Sequence, residues 1–266
     1  MTTMIGPLAY IGGKRRLARR LIALFPNHTT YVEPFCGGAQ VFFAKAPSRV
    51  EVLNDLNGEV MNFLRICQHH GEELVRCLQF ICAGRVFFEL YSKQDPQTLT
   101  DVQRAARFFY LQKNAFGGKL AQRNYHYGVV KPLNYNPTSL PQAIAAAAER
   151  LARVQLECWP YERVLERFDR PTTLFYLDPP YVGVDFYQNN LTTDDFRRLA
   201  ERLKAVQGRF VLSINDHAIA REVFGAFRLR ELNVSYTLAP SVPTVRELVF
   251  TNYELPSDDR LRKEVS

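Results

Sequence analysis

The sequence predicts an α/β fold: a mostly parallel sheet covered by helices and interrupted by a mainly helical insert. Three patterns carry that prediction. Short apolar strand patterns alternate with helical ones near both ends of the chain. The stretch from about residue 60 to 150 has helical periodicity and a long basic loop but no such alternation. Two strand-like runs, 229–238 and 245–253, flank a proline-containing turn at 239–243 and read as an antiparallel hairpin at one sheet edge.

Taken in order, Tyr31-Val32 is a short strand that ends in Glu33-Pro34-Phe35-Cys36-Gly37-Gly38-Ala39, with a helix starting near Val41. Residues 50–53 form a second strand, ending in Asn54-Asp55. Apolar residues at Val60, Phe63, Leu64, Cys67, Leu74, Val75 and Leu78 predict helix over 59–79 with a break near Gly71. Helices follow at 102–111 and 141–153, a strand at 154–158, a helix at 161–168 and a buried strand at 174–177. Thr192 is the N-cap of a helix over 193–206, with Asp194 and Asp195 in its first turn and Phe196, Leu199, Ala200 and Leu203 on one face. A last buried strand spans 210–214, before Asn215-Asp216 and a short helix. The expected division is a discontinuous sheet domain at 1–60 and 151–256, a helical insert at 61–150 and a charged, frayed tail at 257–266.

Composition narrows the function classes. At 266 residues, 47% hydrophobic and 23% charged, the chain can bury a large core and is neither disordered nor fibrous. No apolar run approaches the roughly 18 residues of a membrane helix. Gly12-Gly13-Lys14 follows the first residues too closely for a secretory apolar region, so a cytoplasmic protein is expected. Five cysteines without a C-x-x-C pair read as reduced thiols, and no His/Cys cluster offers a metal site. The net charge of +7 raises the odds of a polyanionic partner, and its distribution says more. Residues 14–20 hold five cations in seven positions. Residues 101–131 hold six Lys/Arg against the single acid Asp101, together with six aromatic rings. Phe108 and Phe109 read as core. Residues 112–127 read as a loop whose Lys113, Lys119 and Arg123 can meet phosphates or guanine edges. There Asn114 and Asn124 can read bases, and Phe116 and Tyr125 can stack on them.

Chemistry in such a sheet gathers beyond the carboxyl ends of its strands. The glycine turn at 37–38 allows close backbone approach to a ligand. Asp55 follows Gly37 by 18 residues, near where nucleotide sites place a ribose-hydroxyl acceptor. Asp178-Pro179-Pro180-Tyr181 directly follows an apolar strand. Its two prolines stiffen the backbone, so that one carboxylate and one main-chain carbonyl can face a shared amino group while the tyrosine ring covers a planar base.

Tyr10-Ile-Gly-Gly-Lys14, Val32-Glu-Pro-Phe-Cys-Gly-Gly-Ala-Gln-Val-Phe42, Leu53-Asn-Asp-Leu-Asn57 and Asp178-Pro-Pro-Tyr181 occur in this order. Together they resemble the Dam-type DNA adenine-N6 methyltransferases, and Tyr110-Leu-Gln-Lys-Asn-Ala-Phe-Gly-Gly118 resembles that family's loop at the DNA face of its target-recognition insert. The resemblance spans about residues 7–256 and implies a Rossmann-like class I methyltransferase sheet. It also implies S-adenosylmethionine as cofactor, bound by Tyr10, Lys14, Glu33, Phe35, Gly37, Asp55 and Asp178. Asp178, Pro179, Pro180 and Tyr181 would be catalytic, acting on an adenine flipped out of double-stranded DNA. Arg15 joins Lys113, Asn114, Phe116, Lys119, Arg123, Asn124 and Tyr125 as DNA-binding residues. A monomer without metal or membrane is expected, with a restriction endonuclease as an open companion. The family's last turn glycine is Ala39 here, a modest change for a backbone that keeps φ below zero. Two other enzyme substrates remain open, a cytosine-N4 amino group and an RNA adenine, as does a catalytically silent DNA-binding protein.

Overall fold

The computed structural model describes residues 4–8, 10, 13–115, 124–126, 134–184, 190–234 and 245–255. Its sheet contains β1 (Thr30–Glu33), β2 (Val50–Asn54), β3 (Gln155–Glu157), β4 (Thr173–Leu177), β5 (Arg209–Asn215), β6 (Arg228–Val234) and β7 (Val245–Thr251). The order across the sheet is β3-β2-β1-β4-β5-β7-β6. Strands β1 to β5 pair in parallel, with Val32 beside both Val52 and Phe175, while β7 runs antiparallel between β5 and β6. Strand order therefore reverses between β1 and β4, the position at which such sheets bind ligands.

Both faces are covered, which is why the central strands read as unbroken apolar runs. Alternation still decides where each side chain goes. Tyr31, Leu53, Leu174, Tyr176 and Val211 enter the core on one face, and Val32, Val52, Phe175, Leu177 and Leu212 enter the core on the other. The second core is closed by α8 (Tyr161–Phe168), α9 (Thr193–Ala205) and α10 (Ala218–Val223). Thr192 caps α9 as expected, within a reciprocal capping box with Asp195.

The first core is closed by the remaining helices. These are α1 (Ala18–Ile22), α2 (Gln40–Ala44), α3 (Gly58–His69), α4 (Gly71–Leu78), α5 (Arg85–Lys93), α6 (Asp101–Asn114) and α7 (Leu140–Leu151). Helices α3 and α4 break at His70, next to the predicted Gly71. Two helices escaped the pattern. Helix α1 lies inside the basic segment, where Leu17, Ala18 and Leu21 face the core. Helix α5 buries only Phe88 and leaves Val86, Phe87 and Leu90 exposed, so it shows no apolar stripe of the right phase. Helix α6 runs to Asn114, three residues beyond the predicted end, held at its start by a Thr100–Gln103 capping box. The antiparallel hairpin is present, whereas its turn at 239–243 and the tail at 257–266 lie outside the described residues.

Arg150 ties α7 to the sheet. Its guanidinium donates to Glu51 of β2 at 2.5 and 2.8 Å and to the Phe42 carbonyl at 3.1 Å, and it lies 3.7 Å over the Phe42 ring. Lys45 adds a 2.6 Å bond to the same carboxylate. Burial alone would raise the Glu51 carboxyl, but hydrogen bonds from Arg150 and Lys45 hold it below its ordinary value. A carboxyl so depressed stabilises the fold above the ordinary carboxylate range and loses that contribution as pH falls through it. Arg150→Ala should therefore cost about 2 to 4 kcal/mol in urea unfolding at pH 7, since Lys45 still pairs with Glu51. The deficit should narrow in acid; one that is the same at pH 3 and pH 7 would rule out the ion pair as its source.

Candidate active site

Three strand ends build the site. Beyond β1 the chain turns through Gly37, at φ +47°, into α2. A Cβ at Gly37 would sit 2.8 Å from the Tyr10 ring, so glycine is required twice over, by backbone angle and by space. Ala39 also adopts a left-handed conformation, φ +49°, so the condition under which alanine there would be a modest change is not met. The tight Cys36–Ala39 turn closes with a 2.6 Å backbone bond and imposes that angle on a residue with a side chain, at a cost of about 1 kcal/mol.

Beyond β2, Asp55 braces this turn. It accepts the Gly37 N–H at 2.8 Å and the Asn57 N–H at 2.9 Å. Burial raises its carboxyl pKa, and those two bonds oppose the rise. Buried Asn54 fastens neighbouring strand ends, donating to the Pro34 carbonyl at 2.8 Å and the Trp159 carbonyl at 3.0 Å while accepting the Trp159 N–H at 2.8 Å.

Beyond β4 lies Asp178. Lys14, itself buried, donates to Asp178 at 2.5 Å and to the Tyr181 hydroxyl at 3.1 Å, and pairs with Glu247 of β7 at 3.2 Å. The Tyr181 hydroxyl donates to the other Glu247 oxygen at 2.9 Å, and the ammonium lies 4.7 Å from the Tyr181 ring centre. Burial opposes the Lys14 charge, but Asp178 and Glu247 hold its pKa well above the ordinary value. The Asp178 carboxyl is pushed up to about 6, by burial first and Glu247 next, with Lys14 pulling against both. Asn215 clamps the backbone just after the tetrad, accepting the Val182 N–H at 3.0 Å and donating to its carbonyl at 3.1 Å.

A cavity of about 310 Å³ joins these strand ends, with Tyr10, Glu33, Phe35, Asp55, Trp159 and Asp178 in its wall. Lys14, Gly37 and Pro180 also line it. The expected cofactor residues thus meet in one place, where Trp159 and Tyr161 join them without having been anticipated, as does Glu247 behind the wall through Lys14 and Tyr181. Glu247 did leave a signal, as an acid beside the apolar run Leu248-Val249-Phe250.

The expected DNA residues separate. Arg15 is exposed, and Lys113 is half-buried with its ammonium 5.4 Å from the Phe109 ring. Burial, with the Arg15 charge, lowers the Lys113 pKa. Asn124 is exposed. Tyr125 bridges to Ala115 and packs edge-on against Phe88 at 5.5 Å. Asn114 requires correction as a base reader: the extended α6 buries it completely, and its amide donates to the Tyr110 carbonyl at 2.9 Å. Two other cations of the 101–131 stretch are held internally, Arg104 by Glu59 and Asp101 and Arg107 by the Tyr91 carbonyl. Phe116, Lys119 and Arg123 lie outside the described residues.

Glu33 offers a thermodynamic check on this site. Burial pushes its carboxyl from 4.5 up to about 8, against a 2.6 Å hydrogen bond from Tyr31. The folded chain keeps that proton where the unfolded chain has lost it, so stability falls as pH rises from about 4.5 to 8. The cofactor-free protein should lose melting temperature between pH 6 and pH 8, and Glu33→Gln should remove part of that loss. Parallel melting curves for the two proteins over this range would contradict the assignment.

Residues 10–238 match the D12 class N6 adenine-specific DNA methyltransferase family. A type II methyltransferase of Lactococcus lactis subsp. cremoris is 25% identical over 92% of this chain and 94% of its own. A DNA adenine methylase of Haemophilus influenzae is 22% identical over 87% of each. A type II methyltransferase of Paramecium bursaria Chlorella virus NC1A is 22% identical over 85% of this chain and 88% of its own. The solved structure of an rRNA methylase from Streptococcus thermophilus aligns with 91% of this chain at 12% identity and a TM-score of 0.37, so the assignment rests on sequence. The cytosine, RNA and catalytically silent readings are not favoured by these matches. The chain belongs to the D12 class of N6 adenine-specific DNA methyltransferases.

Proposed function

We propose that Asp178, the Pro179 carbonyl and the Tyr181 ring receive the target adenine of duplex DNA, and that Tyr10, Lys14, Glu33, Phe35, Gly37 and Asp55 form the neighbouring cofactor site. The protein methylates adenine N6 in DNA and uses S-adenosylmethionine. The observation that carries the placement is Asp178 at the wall of the cavity, one carboxylate oxygen tied to Lys14 at 2.5 Å and the Tyr181 ring fixed beside it. The cavity suits the cofactor chemically. Its Asp178 carboxylate matches a cationic ligand, Asp55 retains lone pairs for ribose hydroxyls, and Gly37 leaves room that a Cβ would fill. When bound, S-adenosylmethionine supplies an electrophilic methyl group on a sulfonium.

The chain's own part is positioning and charge. An adenine inside the stack cannot reach these strand ends, so the base must swing out. Asp178 accepts one N6 hydrogen and the Pro179 carbonyl the other, which turns the nitrogen lone pair toward the cofactor side. The Asp178 carboxylate then stabilises the positive charge that grows on nitrogen, with no covalent enzyme intermediate. The insert at 61–150 would read the DNA through Lys113, Lys119, Arg123 and Asn124, with Arg15 of the N-terminal segment contributing a further cation. A monomer suffices, since both halves of the site come from one chain. The Lactococcus relative is named a type II methyltransferase, and by that likeness a cognate endonuclease is the companion this reading leaves room for.

Asp178→Ala should lower methyl transfer from tritiated cofactor to unmethylated DNA by at least about 10³-fold while cofactor binding persists. In the wild type, kcat/KM should fall below about pH 6, where Asp178 gains a proton. Near-normal turnover by the variant would remove Asp178 from the mechanism. Arg15→Ala and Lys113→Ala should each weaken binding to cognate and scrambled duplexes alike and flatten the salt dependence by about one unit of slope. Loss confined to the cognate duplex would make that residue a base reader instead.

A further inference from the structure

We infer that Glu247 is a positioning residue of the active site, holding Lys14 and Tyr181 in the arrangement that lets Asp178 and the Tyr181 ring engage the target base. The inference rests on the assignment of Asp178 and Tyr181 to that base and adds a residue from a part of the chain far from the tetrad. Glu247 is 1% exposed, and it faces Asn215 in the register between β7 and β5. This cross-strand pair grips the tetrad loop twice. Asn215 holds the backbone at Val182 through two hydrogen bonds, and Glu247 holds the side chain of Tyr181 at its hydroxyl.

Charge explains why an acid serves here. Lys14 and Asp178 alone would form a neutral pair, with the ammonium claiming the carboxylate needed for the base. Glu247 takes a share of the same ammonium at 3.2 Å, so Lys14 is divided between two carboxylates. The trio of Lys14, Asp178 and Glu247 then has a net charge of −1, matched to a cationic methyl donor and to an amine that becomes cationic as it is methylated. Tyr176 of β4 and Tyr181 also face Lys14, and Glu33 of β1 faces Asp178. Among these neighbours Glu247 alone touches both Lys14 and Tyr181 through separate oxygens.

The full-length protein tests this with Glu247→Ala, Glu247→Gln and Asp178→Ala, assayed for methyl transfer to DNA, for cofactor binding by calorimetry and for the pH dependence of kcat. Glu247→Ala should lower kcat by about tenfold or more, with the cofactor dissociation constant and the KM for DNA within about threefold of wild type. Glu247→Gln keeps an oxygen for one partner and should recover part of the rate. Its acid limb should move to lower pH, because the charge that raises Asp178 is gone. Glu247→Ala with wild-type kcat overturns the inference. If that variant does not fold, Glu247→Gln decides: a wild-type rate with an unmoved acid limb overturns the inference, and a slower rate with a displaced limb upholds it. Asp178→Ala separates the two levels. Activity in that variant defeats the base-site reading itself, whereas a silent Asp178→Ala beside normal Glu247 variants defeats only the inference drawn from Glu247.

Discussion

A buried ammonium needs counter-charge, and meeting that need organises the centre of this protein. Lys14 reaches the site from the N-terminal segment, Asp178 from the end of β4 and Glu247 from β7, so one cation joins parts of the chain separated by more than 160 residues. Removing Lys14 would leave two carboxylates facing each other with no cation between them. The same demand fixes the tetrad loop, because Tyr181 shares both Lys14 and Glu247. The geometry proposed for the base site and the satisfaction of buried charge are thus one constraint.

A second ion cluster, Arg150 with Glu51 and Lys45, does comparable work at the other end of β2. It secures the last helix before β3 to the strand whose far end presents Asn54 and Asp55. Helices between β2 and β3 also share the first core with the sheet: Phe63 stacks on Phe109 at 5.4 Å, and both belong to the cluster that holds Tyr31 and Tyr176. A face built to read DNA would therefore be continuous in packing with the strands that hold the chemistry.

The sequence makes local features readable and long-range ones obscure. Helix α8 falls on residues 161–168 as its periodicity predicts, and Glu33, Asp55 and Asp178 mark strand ends because turn residues follow each apolar run. Ala39 shows the limit of reading by size: alanine is small, but the turn sets its φ. Asn114 has the chemistry of a base reader, yet one further helical turn seals it inside. Helix α5 is concealed because all its apolar side chains but Phe88 and the half-buried Tyr91 face outward. Glu247 owes its place to the pairing of β7 with β5, a partnership that no window of sequence contains.

That pairing bears on how the protein is made. Strand β7 is translated after β6 yet lies between β5 and β6, so β6 has no sheet neighbour until β7 arrives. A chain emerging from the ribosome can assemble the parallel strands, the glycine turn and the Lys14–Asp178 pair while the edge of β5 stays open. Only when residues 245–251 insert does the second counter-charge reach Lys14, so the far edge of β5 and the buried ion cluster are closed in the same event.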